Sequence, residues 1–335
     1  MSDLRVRKYL ARGMRWIRRR RRRPAEAHGL VLMYHRIANP TVDPWQICVR
    51  PERFEEQMRL LRDRVDIVPL GELRARLRRG RRGRPVAAVT FDDGYADNLH
   101  AAKPVLQRYG VPATVFLATA CVGSARRFWW DALAQSVLAA DALPPRLELE
   151  CAGRRFHFDD SRLTLSGDPG RRARRALHDR LWQWLSTLVD QDRWDAIGLI
   201  QRWAPDARPP AADELPMTDI EVRSLIADGL VEIGGHTASH CMLSGLAAAA
   251  KAVEIERSWH DCRRLAGRDP TSFAYPHGDF DEESVDLVKR TGFAVSCTTE
   301  QDLVWSQTDP HKTPRIGVPD CSGRALLHKL RWWLA

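Results

Sequence analysis

Short apolar runs alternate with segments of helical periodicity along the first third of the chain. The runs at 29–37, 84–91 and 112–119 are each long enough for one buried strand and too short for a helix of ordinary length. Between them, residues 51–63 and 96–110 place apolar side chains three and four positions apart, which predicts helices. This alternation is typical of parallel β/α units.

A second β/α stretch starts near residue 216. Its predicted elements are a helix after Thr218, the strand VEI, a helix over about 246–266, the strand TSFAYP, a helix over 281–291 and the strand FAVSCT. With 335 residues, the chain fits one large α/β barrel with an insertion or two modest domains.

Residues 122–215 interrupt this rhythm with helical, Trp-rich sequence around one β-like segment, RLELECAGRRFHF. The pattern predicts an inserted, mostly helical subdomain. Trp129 and Trp130 in this insert either stack on sugar rings or, as large aromatic side chains more often do, pack in a core.

The positive charge lies mainly at the start of the chain. The net charge is +10, and residues 1–29 hold eleven Lys and Arg against two acids, so the remainder is nearly neutral. No nucleic-acid partner is therefore expected of the body. Residues 1–28 read as a basic amphipathic tail, either solvated or, through 1–23, lying on an anionic membrane surface. A second amphipathic tail, 321–335, is either a docked helix or another anchor.

The rest of the composition is that of a globular protein, at 44% apolar and 29% charged. No run of eighteen apolar residues predicts a membrane span, and the N-terminus lacks the apolar region of a cleavable signal peptide. Seven cysteines without a CxxC motif favour reduced thiols over a zinc ribbon or a disulfide framework. We therefore expect a location in the cytoplasm or at the inner face of the membrane.

Candidate chemistry follows two of the predicted strands. Asp92 and Asp93 end the strand AAVTF, and two close carboxylates stay ionised together only beside a cation. His236 and His240 follow the strand VEIGG, and on a helical turn that spacing of four places both imidazoles on one face. An Asp/His/His set leaves metal positions open, as catalytic sites do. The alternatives are a helix cap for the aspartates and surface positions for the histidines.

A third strand ends in FAYPHGDF, residues 273–280, whose Pro-x-Gly turn is either generic or able to present backbone N–H groups to an oxyanion. TFDDG, then HTASH, then YPHG resembles the polysaccharide deacetylase family, the NodB-homology or family 4 carbohydrate esterases. The resemblance implies an α/β fold, a distorted (β/α) barrel of about seven strands formed here by 29–121 and 216–320. It also implies hydrolytic removal of acetyl groups from N-acetylated, or O-acetylated, sugars of a glycan substrate.

The resemblance assigns roles to the motif residues. Asp92 would be the general base, and a divalent metal, usually zinc, would be held by Asp93, His236 and His240. Thr237 would hold the histidine loop through hydrogen bonds. The backbone N–H of His277 would polarise the acetyl oxygen, and Tyr275 and Pro276 of the same turn would contact substrate.

Two positions depart from the family pattern. Ala274 stands where an arginine often orients the catalytic aspartate, and no clear C-terminal Leu-x-His motif supplies the acid. The segment LMYHRI resembles the exopolysaccharide-modifying branch, which implies His35 as the acid, and Arg315 in TPRIGV would help to orient Asp92.

Three other functions remain open at this stage. Ala274 fits a non-catalytic protein with a degenerate site that binds carbohydrate or a membrane surface. A glycosidase would use Asp92 with another carboxylate and need no metal. A nucleic-acid binder would depend on the arginine run.

Overall fold

The structure is a computed structural model that describes residues 28–80, 83–204 and 208–334, with side chains to residue 331. The basic segment 1–23 lies outside the described residues, so its membrane-surface helix stays a prediction. Within the part of the chain that is described, no helix combines the length and the apolar character needed to cross a bilayer.

Thirteen strands are present in the described residues. They are β1 His28–Tyr34, β2 Arg36–Ile37, β3 Cys48–Val49, β4 Asp66–Ile67, β5 Val86–Phe91, β6 Ala113–Leu117, β7 Arg146–Cys151, β8 Arg154–Asp159, β9 Val231–Gly235, β10 Ser272–Ala274, β11 Val295–Cys297, β12 Val304–Trp305 and β13 Ile316–Gly317.

The α-helices within the same residues are α1 Pro51–Arg62, α2 Leu70–Arg78, α3 Lys103–Tyr109, α4 Trp129–Leu138, α5 Gly167–Leu185, α6 Asp190–Trp203, α7 Asp219–Ile226, α8 Ala248–Ala266, α9 Glu282–Thr291 and α10 Gly323–Leu334. Single helical turns occur at Asn98–Ala102, Thr119–Cys121, Ser161–Thr164, Ala212–Glu214, Pro276–Gly278 and Pro310–Lys312.

Nine of the strands form one sheet. Its order is β11-β10-β9-β6-β5-β1-β12, with β13 also paired to β1 and β4 to β5. All of these pairs are parallel except β1 with β12. A parallel bridge between Cys297 and Thr313 connects the β11 edge to the segment that leads into β13. The sheet thus curls into a distorted barrel, which confirms the predicted fold class.

The strand register aligns the residues that directly follow β1, β5 and β9 at the carboxyl edge of the sheet. Tyr34 of β1 pairs with Phe91 of β5, so His35 and Asp92 follow side by side. Leu117 of β6 pairs with Gly235 of β9, which puts His236 at the same level. The carboxyl ends of neighbouring parallel strands therefore converge on one end of the barrel, where α/β barrels gather their chemistry.

Both faces of the sheet are covered, which explains why the strands read as continuous apolar runs. In β1, Leu30 and Leu32 belong to the large core under the outer helices, whereas Val31 points into a second cluster with Ala88 and Phe116.

The insert has its own apolar core. The hairpin β7–β8 pairs in antiparallel register, and the core contains buried side chains of α4, α5 and α6 together with Tyr95 of the barrel. The C-terminal helix α10 packs on the barrel core, to which it contributes Leu326 and Leu330. It starts in close contact with α1, because a Cβ on Gly323 would lie 2.8 Å from the Glu56 carbonyl oxygen.

Candidate active site

The turn after β5 separates the two adjacent aspartates. The Asp92 N–H donates to the Tyr34 carbonyl at 3.0 Å, which continues the β1–β5 ladder. Asp93 and Gly94 then adopt left-handed backbone conformations, with φ of 74° and 85°. A Cβ on Gly94 would lie 2.6 Å from the Leu117 side chain, so this position needs glycine for space as well as for its φ. This reversal of the backbone points the Asp92 and Asp93 carboxylates towards different partners.

Asp92 is held by a guanidinium from the far end of the chain. Arg315 donates from Nη1 to Oδ1 at 2.6 Å and from Nη2 to Oδ2 at 2.7 Å. The same side chain donates to the Thr90 hydroxyl at 3.2 Å and the Thr298 carbonyl at 3.0 Å. Arg315 is 0% and Asp92 2% exposed, so both groups are removed from water. The hydrogen bonds to protein acceptors replace the water that the buried guanidinium has lost. Burial opposes the charge of Asp92, but Arg315 holds the pKa of this carboxyl below its ordinary value.

Asp93 faces both histidines of the HTASH segment. Its Oδ1 lies 3.2 Å from His240 Nε2 and 3.5 Å from His236 Nε2. Burial again opposes the charge, yet hydrogen bonding to the two imidazoles keeps the pKa of Asp93 well below its usual range. Burial also lowers the pKa of His240, so the neutral imidazole is favoured.

The two histidines do not lie on a helical turn, which corrects the expectation drawn from their spacing. Residues 236–240 form a loop in which Thr237 and His240 have φ of 56° and 57°. Two left-handed residues fold the loop back on itself, and the imidazole rings meet at a centroid distance of 4.8 Å.

Glu254 of α8 fixes this loop. Its carboxylate accepts the N–H groups of Ala238 and Ser239, at 3.0 and 2.8 Å, and the Ser239 hydroxyl at 2.9 Å. The hydroxyl of Thr237 has no hydrogen-bond partner among the described residues, and its carbonyl instead accepts the Thr119 N–H at 3.3 Å. The loop is therefore held by Glu254 and by backbone pairing, whereas the resemblance had assigned that task to Thr237. No local sequence pattern points to Glu254, whose one signal is its place on the following helix.

The Asp93–His236–His240 cluster fits a divalent metal. One ligand atom from each residue lies within 4.8 Å of the others, and all three residues are buried. His236 Nδ1 lies 2.7 Å from the Ala274 carbonyl, so Nδ1 carries the proton and Nε2 is left with its lone pair. An anionic oxygen with two neutral imidazole nitrogens is a donor set that suits zinc and similar ions.

His35 directly follows β1 and lies next to Asp92. Its Nε2 is 3.8 Å from Asp92 Oδ2, and its side chain is 22% exposed. The imidazole is therefore close to the carboxylate and still reachable from solvent.

The turn at Pro276–Gly278 differs in part from the prediction. His277 is exposed, has a φ of 57°, and places its ring 4.7 Å from that of His240. Pro276 and Tyr275 are buried, and the Tyr275 hydroxyl donates to the His311 carbonyl at 3.1 Å. The Tyr275 ring packs against Phe280 in the core. Its side chain is thus turned away from solvent, against the predicted substrate contact.

The insert supplies a wall of the site that sequence analysis did not assign. The Trp130 indole packs on the His240 ring at 4.6 Å and donates from Nε1 to the Tyr95 hydroxyl at 2.8 Å. Tyr95 in turn donates to the Asp131 carboxylate at 2.7 Å. Trp130 is buried, which agrees with the core alternative for this residue and not with sugar stacking.

Comparison with known proteins connects this arrangement to one family. The model of the family named polysaccharide deacetylase matches residues 79–140 and 193–296, which include all three candidate metal ligands and Asp92. YxkH of Bacillus subtilis, a predicted polysaccharide deacetylase, is 33% identical over 95 residues. That match spans 28% of this chain and one third (33%) of the relative.

Solved structures share the fold across most of the chain. The deacetylase PplD of Streptococcus pyogenes, solved in complex with acetate, aligns with a TM-score of 0.59 and 15% identity over 92% of this chain and 99% of its own. IcaB of Ammonifex degensii aligns with a TM-score of 0.58 and 16% identity over 92% and 98%. At this identity the likeness establishes the fold.

Proposed function

The chain belongs to the polysaccharide deacetylase family, and from that premise we propose that it is a metal-dependent hydrolase that removes acetyl groups from N-acetylated sugars of a polysaccharide. The observation that carries the proposal is the pairing of Asp92 with Arg315 next to the Asp93–His236–His240 cluster. A base held in one orientation beside a metal-type donor set is a combination that suits amide hydrolysis by water.

Each residue has a defined task in this proposal. A metal held by Asp93, His236 and His240 would supply Lewis-acid chemistry, which polarises a carbonyl oxygen and makes water more acidic. Asp92 accepts a proton from the water that attacks the acetyl carbon. Arg315 keeps Asp92 ionised and aimed, because both of its terminal nitrogens bind that carboxylate.

Two further groups complete the reaction. The backbone N–H of His277 donates to the oxyanion that forms on the acetyl oxygen. His35 protonates the sugar nitrogen as the C–N bond breaks, so the products are acetate and a free amine. His35 Nε2 lies 3.8 Å from Asp92 Oδ2, too far for a direct hydrogen bond, so the proton returns from base to acid between turnovers through a water molecule.

The geometry also weakens the degenerate-site alternative. Ala274 lacks the side chain expected there, but its carbonyl accepts from His236, and Arg315 binds the catalytic carboxylate in place of an arginine at 274. Despite the departure from the family pattern, Asp92 is therefore bound by an arginine and His236 has an acceptor for its Nδ1 proton.

The test combines metal content with acetate release from a panel of N- and O-acetylated amino sugar oligomers. Wild type is expected to bind about one metal ion per chain and to release acetate. Asp92→Asn should keep the metal and lose turnover, whereas Asp93→Ala should lose both. Asp286→Asn, on the exposed side of α9, serves as the matched control and should behave as wild type.

Acetate release that survives both metal removal by a chelator and Asp93→Ala would refute the metal-dependent mechanism. Cleavage of the oligomers into shorter sugars without acetate release, unaffected by the chelator, would instead favour a metal-free glycosidase. Metal binding without acetate release from any substrate on the panel would favour a binding protein.

A further inference from the structure

Trp45 is exposed to solvent in a turn, residues 43–48, that is fixed by hydrogen bonds. Among the described residues the large apolar side chains that are exposed are Trp45, Leu165, Val189, Ile220 and Val253, of which Trp45 is the one aromatic. It is 38% exposed. The Asp43 carboxylate accepts the N–H groups of Ile47 and Cys48, both at 3.0 Å, and the Asp43 carbonyl accepts the Gln46 N–H at 3.3 Å.

The backbone next to Trp45 is strained. Gln46 has a φ of 55°, a conformation that non-glycine residues adopt at a cost and that usually persists where it serves a function. The turn thus fixes the backbone from which the indole projects.

The turn reaches across from the barrel to the insert. The Trp45 ring lies 5.1 Å from that of Trp182 and 5.8 Å from that of His178, both on α5. Arg175 of the same helix donates to the Pro44 carbonyl at 3.4 Å. Trp45 and Trp182, which we name the tryptophan pair, therefore form a surface shared by the two parts of the molecule.

A line of rings connects the tryptophan pair to the candidate metal site. Trp182 lies 6.2 Å from the His277 ring, and His277 lies 4.7 Å from the His240 ring. His277 is exposed and Trp182 is half-buried, so the part of this line next to the tryptophan pair is accessible to solvent. A polymer whose acetyl group sits at the metal site has neighbouring units within reach of the pair.

We propose that the tryptophan pair is a binding subsite for a pyranose ring of the polysaccharide, at a unit adjacent to or beyond the one that is deacetylated. This inference rests on the proposed function. The apolar face of a sugar ring stacks on an indole, while its hydroxyls stay in water. A pre-shaped exposed aromatic loses little conformational freedom on binding, so the contact contributes to affinity for long substrates. The subsite makes the enzyme selective for polymers over short acetylated sugars.

The experiment compares a disaccharide with a hexasaccharide of N-acetylglucosamine. Binding is measured by calorimetry in the Asp92→Asn background, where no turnover occurs, and KM is measured in the otherwise wild-type enzyme. Trp45→Ala is expected to weaken hexasaccharide binding and to raise its KM about tenfold, with a smaller effect on the disaccharide. Trp45→Phe should restore most of the hexasaccharide affinity because it keeps an aromatic face.

Val189→Ala is the matched control, since Val189 is an exposed apolar residue of the insert segment outside the pair. Circular dichroism and thermal unfolding verify that each variant folds. Equal effects of Trp45→Ala on both oligomers, or none, would overturn the subsite and leave the proposed deacetylation intact. A wild-type enzyme that releases no acetate from these oligomers or from any other substrate of the acetylated panel would refute the proposed function together with the subsite.

Discussion

Arg315 binds both carboxylate oxygens of Asp92 from inside the barrel, across a sequence separation of 223 residues. Because Arg315 is fully buried and precedes β13, the orientation of the candidate base depends on the last strand of the sheet. A planar guanidinium with two parallel hydrogen bonds fixes both the position and the plane of the carboxylate.

Two substitutions of Arg315 should separate the effect of its positive charge from the effect of its paired hydrogen bonds to Asp92. Arg315→Lys keeps a positive charge but offers no paired donors, and we expect kcat to fall about a hundredfold because the carboxylate is no longer aimed. Arg315→Met should also lower the free energy of unfolding by about 3–5 kcal/mol, since Asp92 is left buried without a counter-charge. Acetate-release kinetics and urea unfolding measure the two effects.

The pH profile provides a second readout of the same variants. Arg315 lowers the pKa of Asp92, so the base is ionised down to low pH in the wild type. Without that arginine the carboxyl should titrate at higher pH, and the acid limb of kcat should move upward. An unchanged limb in Arg315→Met would contradict the assignment of Asp92 as the base, and Arg268→Lys, at an exposed ion pair, is the control.

Glu254 should matter for metal affinity although it is not a predicted ligand. Glu254→Ala removes the acceptor of two N–H groups in the histidine loop, and we expect the affinity for Zn²⁺ to fall about 10–100-fold. A competition titration with a chromophoric chelator gives the affinity directly. Glu256→Ala on the exposed face of the same helix should retain the wild-type value, and equal affinities in both variants would show that the loop does not need Glu254.

Trp130 should connect the stability of the insert to the metal site. Trp130→Ala removes a buried indole and is expected to lower the free energy of unfolding by about 3–5 kcal/mol. Trp130→Phe keeps an aromatic ring against His240 but loses the hydrogen bond to Tyr95 and part of the packed indole volume, at a cost of about 1–3 kcal/mol. Denaturant titration distinguishes the two, and equal losses in the Ala and Phe variants would contradict a role for ring packing.

Acid should weaken the contact between α3 and the turn before β9. The Lys103 ammonium, with Gln107, hydrogen-bonds Asp228 and lowers the pKa of that carboxyl to about 2. A depressed pKa in the folded state stabilises the fold above the ordinary value near 3.8, and the stabilisation is lost as pH falls toward about 2. Urea midpoints at about pH 5 and about pH 3 should therefore differ less in Asp228→Asn than in wild type. Asp286→Asn should keep the wild-type difference.

The barrel was predictable because its strands are buried on both faces. A strand such as Val86–Phe91 is a continuous apolar run, and the polar residues that follow it mark the edge where the site forms. The sequence order of the motifs then located Asp92, Asp93, His236 and His240 at one end of the sheet. The metal ligand set itself remains a prediction that metal analysis must test.

The backbone of the site was not predictable in the same way. A spacing of four fits a helical turn, but left-handed conformations at Thr237 and His240 give the same convergence from a loop. Tyr275 was expected at the substrate because its motif is there, whereas its ring packs against Phe280 in the core. Trp130 and Glu254 reach the site from other elements, so no local pattern points to them.

The bridge between Cys297 and Thr313 has a consequence for biosynthesis. On the ribosome, Asp92 emerges long before the arginine that aims it, and the ring of strands closes only when residues 313–317 add to it. A nascent or C-terminally clipped chain can therefore carry every candidate metal ligand and still lack an oriented base. Catalytic competence would then arrive with closure of the barrel, after most of the polypeptide has already been made.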